Sequence, residues 1–74
     1  MKVIEVFERR NGKRVFAGYF KGWMLYGAYS KHEILTNDLS EAHRFVDLVD
    51  AQRVLSWFSG GIEHADTIVF VREV

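Results

Sequence analysis

The chain has 74 residues, enough for a single domain spanning 1–74, and its ten basic side chains balance ten acidic ones. It contains no cysteine, which excludes disulfides and thiolate metal sites. No apolar run approaches the roughly 18 residues that cross a membrane, and the N-terminal residues lack the apolar segment of a signal peptide. We therefore expect a soluble, cytoplasmic protein without a membrane partner, stabilised by an apolar core.

The two halves of the chain carry opposite charge. Residues 1–32 hold seven basic and two acidic side chains, whereas residues 33–74 hold three basic and eight acidic ones. The net charges are therefore +5 and −5. Such an asymmetry fits a molecule with one basic and one acidic face, or two halves that attract one another within the fold.

A β-hairpin is the first predicted element. Residues 2–9 are rich in Val, Ile and Phe, and residues 13–20 form the returning strand. Between them, Asn11-Gly12 supplies the two residues with positive φ that a type I′ turn requires. Four cations flank this turn, and we call them the basic hairpin: Arg9, Arg10, Lys13 and Arg14. Charges at this place oppose pairing of the strand edge with another chain, and they also suit contact with a partner.

A third strand is predicted at Trp23–Ser30, with Gly22 in the turn before it. Gly27 inside this stretch indicates a bulge or a close backbone approach. A short fourth strand at Glu33–Thr36 is a further option.

The region that follows is helical but does not read as one helix. Its apolar residues fall on two faces of the helical wheel about half a turn apart. A break near Val46-Asp47 resolves this, and it lets Phe45 enter the core as an anchor.

Polar residues and glycines predict the ends of these helical pieces. Asn37 or Asp38 caps a short first turn, and Asp47 caps a longer helix. Asp50 then lies in the first turn of that helix, where the helix dipole favours an acid. Gly60-Gly61 ends the helix.

The last predicted element is a strand at residues 67–74, a β-branched run that pairs back onto the first hairpin. The order β-β-β-(short helix)-α-β predicts an α+β fold. We expect a single two-layer sandwich, with an antiparallel sheet of three to five strands and one main helix on one face.

Residue patterns of enzymes and metal sites are missing. No serine lies in a Gly-x-Ser-x-Gly turn, and the three histidines lack triad partners at a telling spacing. Glu41 with His43, and Glu63-His64 with Asp66, group possible metal donors but do not match a common site spacing. We expect no enzymatic activity, no catalytic residue, no cofactor and no bound metal.

Cations and aromatic residues of the first half instead predict a binding surface. One helix covers only one face of a sheet, so some of the aromatic rings should lie on the other, open face. Arginines and aromatic rings serve both protein interfaces and single-stranded nucleic acids. A pI of about 6.8 is low for a nucleic-acid binder. The predicted partner-binding residues are Arg9, Arg10, Lys13, Arg14, Lys21, Trp23, Tyr26, Tyr29 and Lys31.

Residues 35–55 resemble a pattern found in small proteins encoded by bacteriophages and other mobile elements. The pattern is Asp-Leu-x-Glu-Ala-x-x-Phe, a short spacer, then Asp-Ala-x-x-x-Leu. The matching positions are Asp38, Leu39, Glu41, Ala42 and Phe45, followed by Asp50, Ala51 and Leu55. These are capping and core positions, so the resemblance implies a shared packing and assigns no site residue. Characterised proteins of this kind tend to bind and inhibit host machinery, and they include anti-CRISPR and other anti-defence proteins.

We therefore expect a small, non-enzymatic, phage-type protein that binds and inhibits a bacterial host protein or complex, and we expect this target to belong to a nucleic-acid-handling defence system. The basic hairpin would meet an acidic or phosphate-lined surface. Alternatively, Glu33, Glu41 and Glu63 would form an acidic face that mimics phosphates. Two further alternatives are direct binding of RNA or single-stranded DNA, and self-association as a homodimer through the open sheet face.

Overall fold

The computed structural model of the chain describes residues 1–28, 30–59 and 65–74. These residues form a four-stranded antiparallel sheet with one helix, in the strand order β3-β2-β1-β4. The elements are β1 Lys2–Arg10, β2 Lys13–Tyr26, β3 Ser30–Thr36, a 3₁₀ turn Leu39–Glu41, α1 Leu48–Ser59 and β4 Thr67–Glu73. The predicted α+β sandwich is confirmed.

The first hairpin forms as predicted. Asn11 and Gly12 adopt φ of 51° and 76°, which gives the twist of a type I′ turn. Arg10 then pairs with Lys13, and β1 runs antiparallel to β2.

The predicted third strand at Trp23–Ser30 is wrong. β2 continues without interruption to Tyr26, because Lys21 forms a bulge between Phe20 and Gly22, and Gly22, predicted to lie in a turn, pairs with Ile34 of β3. The chain reverses after Tyr26, where Gly27 adopts φ 66°. The returning strand β3 begins at Ser30 and includes the short stretch predicted at Glu33–Thr36.

The helical region breaks where the sequence predicts it. The carboxylate of Asp38 accepts a hydrogen bond from the Ser40 backbone N–H and caps the 3₁₀ turn. Asp47 Oδ1 accepts one from the Val49 backbone N–H at 3.1 Å, which caps α1. The predicted helix end at Gly60-Gly61 lies outside the described residues.

Phe45 anchors the segment between the 3₁₀ turn and α1. It exchanges two backbone hydrogen bonds with Lys2, from Lys2 N to Phe45 O at 2.8 Å and from Phe45 N to Lys2 O at 2.7 Å. Its ring is buried and stacks on Phe20 with 6.1 Å between centroids. The predicted core role of Phe45 is confirmed.

The core lies between α1 and one face of the sheet. It is formed by strand residues of β1 and β2, by Phe45 and by one face of the helix: Ile4, Val6, Phe20, Phe45, Ala51, Val54 and Phe58. Among the described residues no helix is long and apolar enough to cross a membrane.

Candidate binding surface

Strand alternation determines which side chains lie opposite the helix. Ile4 and Val6 are buried in the core, so their neighbours Glu5 and Phe7 project from the other face of the sheet. We call this second face the open face. Directly opposite residues of paired strands project from the same face of a sheet. The residues of β2 and β4 that lie opposite Glu5 and Phe7 are therefore also on the open face.

Four rings from three strands meet on the open face. Phe7 pairs with Phe16 of β2, and Glu5 lies between Tyr19 of β2 and Phe70 of β4. We call these rings the aromatic cluster: Phe7, Phe16, Tyr19 and Phe70.

The rings of the aromatic cluster contact one another edge to face. The centroid distances are 5.4 Å for Phe7–Phe16, 5.6 Å for Phe7–Phe70 and 5.0 Å for Phe16–Tyr19. Phe16 and Phe70 remain 40% and 39% exposed. The cluster therefore leaves a substantial apolar area in contact with solvent.

The basic hairpin adjoins this cluster through Arg14. The Arg14 guanidinium carbon lies 5.3 Å from the centroid of Phe7 and 5.2 Å from that of Phe70. Both distances fall within the range of a cation–π contact. The aromatic cluster thus forms one continuous surface with Arg14, and Arg9, directly opposite Arg14, lies on the same face.

Like charges face each other across the two strands of the hairpin. Arg9 is directly opposite Arg14, and Arg10 is directly opposite Lys13. The Glu8 carboxylate pairs with Arg10 at 2.6 Å. In the described part of the chain no acid pairs with the other three cations. Directly opposed like charges destabilise the sheet of the isolated protein. An anionic partner would reduce the repulsion between them, so this arrangement favours binding to such a partner.

Trp23 and Lys31, two further predicted partner-binding residues, lie on the helix side of the sheet. The Trp23 ring is half-buried and packs against Phe20 and Trp57 at 5.0 and 5.3 Å. The Lys31 ammonium lies 4.2 Å from the Trp23 centroid and 5.2 Å from that of Trp57. Trp23 therefore extends the core, and Lys31 covers its edge.

The remaining predicted residues are scattered. Lys21 lies in the bulge between Phe20 and Gly22 and pairs with Glu41 at 3.7 Å. Tyr26 is exposed on the open face beside His32, at the far end of the 14-residue strand from the hairpin. Tyr29 lies outside the described residues. The structure thus places Arg9 and Arg14 on the open face, whereas strand alternation places Arg10 and Lys13 on the helix side, and it does not bring all nine residues together.

Two of the three acids considered for a phosphate-mimicking face are engaged in contacts within the fold. Glu33 accepts a hydrogen bond from the Trp57 indole N–H at 3.2 Å. Glu41 accepts one from the Thr36 hydroxyl at 3.0 Å and also pairs with Lys21. Glu63 lies outside the described residues.

Sequence reasoning missed the aromatic cluster as a site. Phe7 and Phe70 belong to the first and the last strand, and only the register of β4 against β1 brings them together. In the sequence, Glu5 and Phe7 alternate with Ile4 and Val6, and this alternation indicates that the two pairs lie on opposite faces of the sheet. Nothing local indicates which strand becomes their neighbour.

Two other surface features are present. A cleft of about 570 Å³ lies at the end of the β2–β3 hairpin, where Leu25, Lys31, His32 and Trp57 form part of its lining. Val46, Leu48 and Val49 are exposed at the start of α1. Within the described ranges, no three His, Cys, Asp or Glu side chains group as a metal site.

Comparison with protein families, with characterised proteins and with solved structures finds no match for this chain.

Proposed function

We propose that this chain is a non-enzymatic binding protein that docks on another protein through the aromatic cluster and the basic hairpin. The observation that carries the proposal is the contact of Arg14 with Phe7 and Phe70, because it joins exposed rings and cations into one surface. Aromatic side chains and arginine dominate the energetics of protein interfaces. The complementary surface would be apolar at its centre and acidic at its rim.

The ring geometry favours a protein partner over stacked bases. Base stacking requires an exposed ring face. Here the rings pack edge to face on one another, and the guanidinium of Arg14 lies over both Phe7 and Phe70. A base stacked on Phe7 or Phe70 would compete with Arg14 for the ring, whereas an apolar protein side chain can contact the exposed parts of Phe16 and Phe70.

The resemblance of residues 35–55 to small phage proteins suggests the kind of partner. On that basis we propose that the chain inhibits a bacterial host protein, as anti-CRISPR and other anti-defence proteins do. A target in a nucleic-acid-handling defence complex would have the acidic or phosphate-lined surface that the basic hairpin requires.

Direct binding of single-stranded nucleic acid is the second candidate. It is supported by the three cations of the hairpin that no described acid neutralises, since phosphates would relieve the repulsion between Arg9 and Arg14. Log affinity for a single strand would then fall against log salt with a slope of roughly 0.7 per phosphate contact.

A capture experiment with matched variants tests the proposal. Tagged wild-type protein, the double variant Arg9→Glu/Arg14→Glu and the variant Phe16→Ala are incubated with nuclease-treated bacterial lysate. Arg53→Glu is the control, because it reverses an exposed charge on the helix layer. Captured proteins are identified by mass spectrometry, and circular dichroism verifies that each variant is folded.

We expect one protein to be captured by wild type and by Arg53→Glu, and to be lost from both open-face variants. Capture that is equal for all four proteins would contradict the proposal. Titration with single-stranded oligonucleotides at low and near-physiological salt tests the second candidate, which is direct binding of nucleic acid. If wild type still binds an oligonucleotide at the higher salt and the double variant does not, the partner is a nucleic acid and not a protein.

A further inference from the structure

The two outer strands of the sheet differ in how well their free edges are protected. β3 pairs only with β2, and β4 only with β1, among the described residues. β3 carries Lys31, His32 and Glu33 in sequence, and charges of this kind oppose edge-to-edge pairing. β4 instead presents four consecutive apolar residues, Ile68–Val71. Its edge is the one that can accept another strand.

Hydrogen bonds at the ends of β4 show which backbone groups face outward. Arg9 N donates to Asp66 O, and Val74 N donates to Met1 O, both at 2.8 Å. In an antiparallel pair, residues that face the neighbouring strand alternate with residues that face away. Even-numbered residues of β4 therefore bond to β1. The residues whose N–H and C=O groups point outward are Thr67, Val69, Val71 and Glu73.

We propose that β4 pairs in antiparallel fashion with β4 of a second copy, with Phe70 opposite its own counterpart at the two-fold axis. In this register Val69 lies opposite Val71 and Thr67 opposite Glu73, so all four outward-facing residues of each copy find partners. Moving the axis by one residue in either direction leaves Thr67 or Glu73 without a partner in the other strand.

The charges of β4 are compatible with this register. Arg72 comes opposite Ile68, and Glu73 comes opposite Thr67, so no like charges are directly opposed. A register centred on Arg72 would place two arginines face to face. Phe70 lies on the open face and is 39% exposed, and its counterpart would cover part of that ring.

The dimer is a continuous eight-stranded sheet with one helix layer and one open face. Phe70 belongs to the aromatic cluster, so the two clusters meet at the two-fold axis. The two basic hairpins lie at opposite ends of the joined face, because the strands are antiparallel. This inference concerns self-association and holds whatever partner the open face binds.

Single cysteines test the register directly, since the natural chain has none. In a Phe70→Cys variant the two thiols face each other in a close cross-strand pair, within the range of a disulfide. Two copies of Arg72→Cys would have their cysteines roughly 13 Å apart along the strands, which is too far. Arg53→Cys, exposed on α1, reports random collision.

We expect Phe70→Cys to give a disulfide dimer of twice the 8.6 kDa chain mass under mild oxidation, much faster than Arg53→Cys. Arg72→Cys and Ile68→Cys alone should not exceed the collision rate, but a mixture of the two should cross-link. Equal rates for Phe70→Cys and Arg53→Cys would overturn the proposal. Faster self-cross-linking of Ile68→Cys or Arg72→Cys than of Phe70→Cys would overturn the register.

A proline at position 69 gives an independent measurement. Val69 directs its N–H outward, so Val69→Pro removes a bond of the dimer while the bonds from β4 to β1 remain. Sedimentation equilibrium should show a concentration-dependent dimer for wild type and a monomer for a folded Val69→Pro. A wild-type mass of 8.6 kDa at every concentration would also overturn the proposal.

Discussion

The guanidinium carbon of Arg14 lies 5.3 Å from the centroid of the Phe7 ring, across the first hairpin. The same group lies 5.2 Å from the centroid of Phe70, which belongs to the last strand. A single side chain of β2 therefore contacts rings from both ends of the chain. It holds a positive charge on the apolar part of the open face, and the proposed binding function depends on this combination.

Arg9 lies directly opposite Arg14, and we predict that these two charges lower the stability of the fold while they strengthen binding of the partner. Replacing Arg9 by Gln removes one of two directly opposed charges. We expect the free energy of unfolding to rise by about 0.2–1 kcal/mol and partner binding to weaken. Urea denaturation measures the first effect, and titration of the captured partner measures the second. Arg53→Gln is the control, and a loss of stability in Arg9→Gln would contradict the account of repulsion.

Gly18 is predicted to be essential for the sheet. It adopts φ 144°, and a Cβ there would lie 3.1 Å from both Leu35 Cβ and the Thr36 carbonyl oxygen. We expect Gly18→Ala to lower the free energy of unfolding by about 1–3 kcal/mol, because both the backbone conformation and the contact with β3 oppose a side chain.

Gly22 offers a matched control on the same strand. A Cβ at Gly22 would have no neighbour within 4 Å, and the residue does not adopt a positive φ. Gly22→Ala should therefore leave stability nearly unchanged. Equal losses in the two variants, measured by urea denaturation, would show that Gly18 has no special role.

Removal of the helix cap at Asp47 is predicted to lower the free energy of unfolding, and a serine hydroxyl at the same position should prevent most of this loss. Asp47→Ala leaves the Val49 N–H without its acceptor, and we expect a loss of about 1 kcal/mol in the free energy of unfolding. Asp47→Ser retains a side-chain acceptor and should lose much less. Thermal unfolding followed by circular dichroism measures both, and similar losses would argue against capping.

Acidification is predicted to weaken the fold through two exposed carboxylates. The hydroxyl and the backbone N–H of Ser40 donate hydrogen bonds to Asp38 at 2.7 and 2.9 Å, and they lower the pKa of its carboxyl. The N-terminal ammonium, with help from Lys2, lowers the pKa of Glu73. A lowered folded-state pKa stabilises the protein above the unfolded-state pKa, and this contribution is lost as the pH falls through the lowered value.

Stability should therefore decrease as the pH falls below about 4, near the ordinary carboxyl pKa. We expect the decrease to be smaller in Asp38→Asn and smallest in Asp38→Asn/Glu73→Gln. Urea denaturation between about pH 3 and pH 7 measures the slope. A double variant with the same slope as wild type would show that other groups control the acid response.

Local chemistry explains why much of the fold was predictable. Asn11-Gly12 determines the hairpin turn through its positive φ values, and Asp47 marks the helix start through its hydrogen bond to Val49. Both effects act over a few residues. Gly22 shows the limit of this reasoning, because a glycine suits a bulge as well as a turn, and only pairing with β3 decides between them.

The candidate site was harder to predict because it depends on non-local register. Trp23 and Tyr26 are close in sequence but point to opposite faces, and Trp23 packs against Trp57 of the helix. Conversely, Phe7 and Phe70 are distant in sequence and meet only through the pairing of β1 with β4. The basic hairpin was predictable because its four residues flank a single turn.

Site-specific photo-cross-linking tests the central claim most directly. A photoreactive phenylalanine analogue replaces Phe16 on the open face in one protein and Val49 on α1 in another, and both side chains are exposed. Each protein is irradiated in nuclease-treated bacterial lysate, and the adducts are identified by mass spectrometry. The account predicts a covalent adduct with a bacterial protein from position 16 and none from position 49. No protein adduct from position 16 would contradict it.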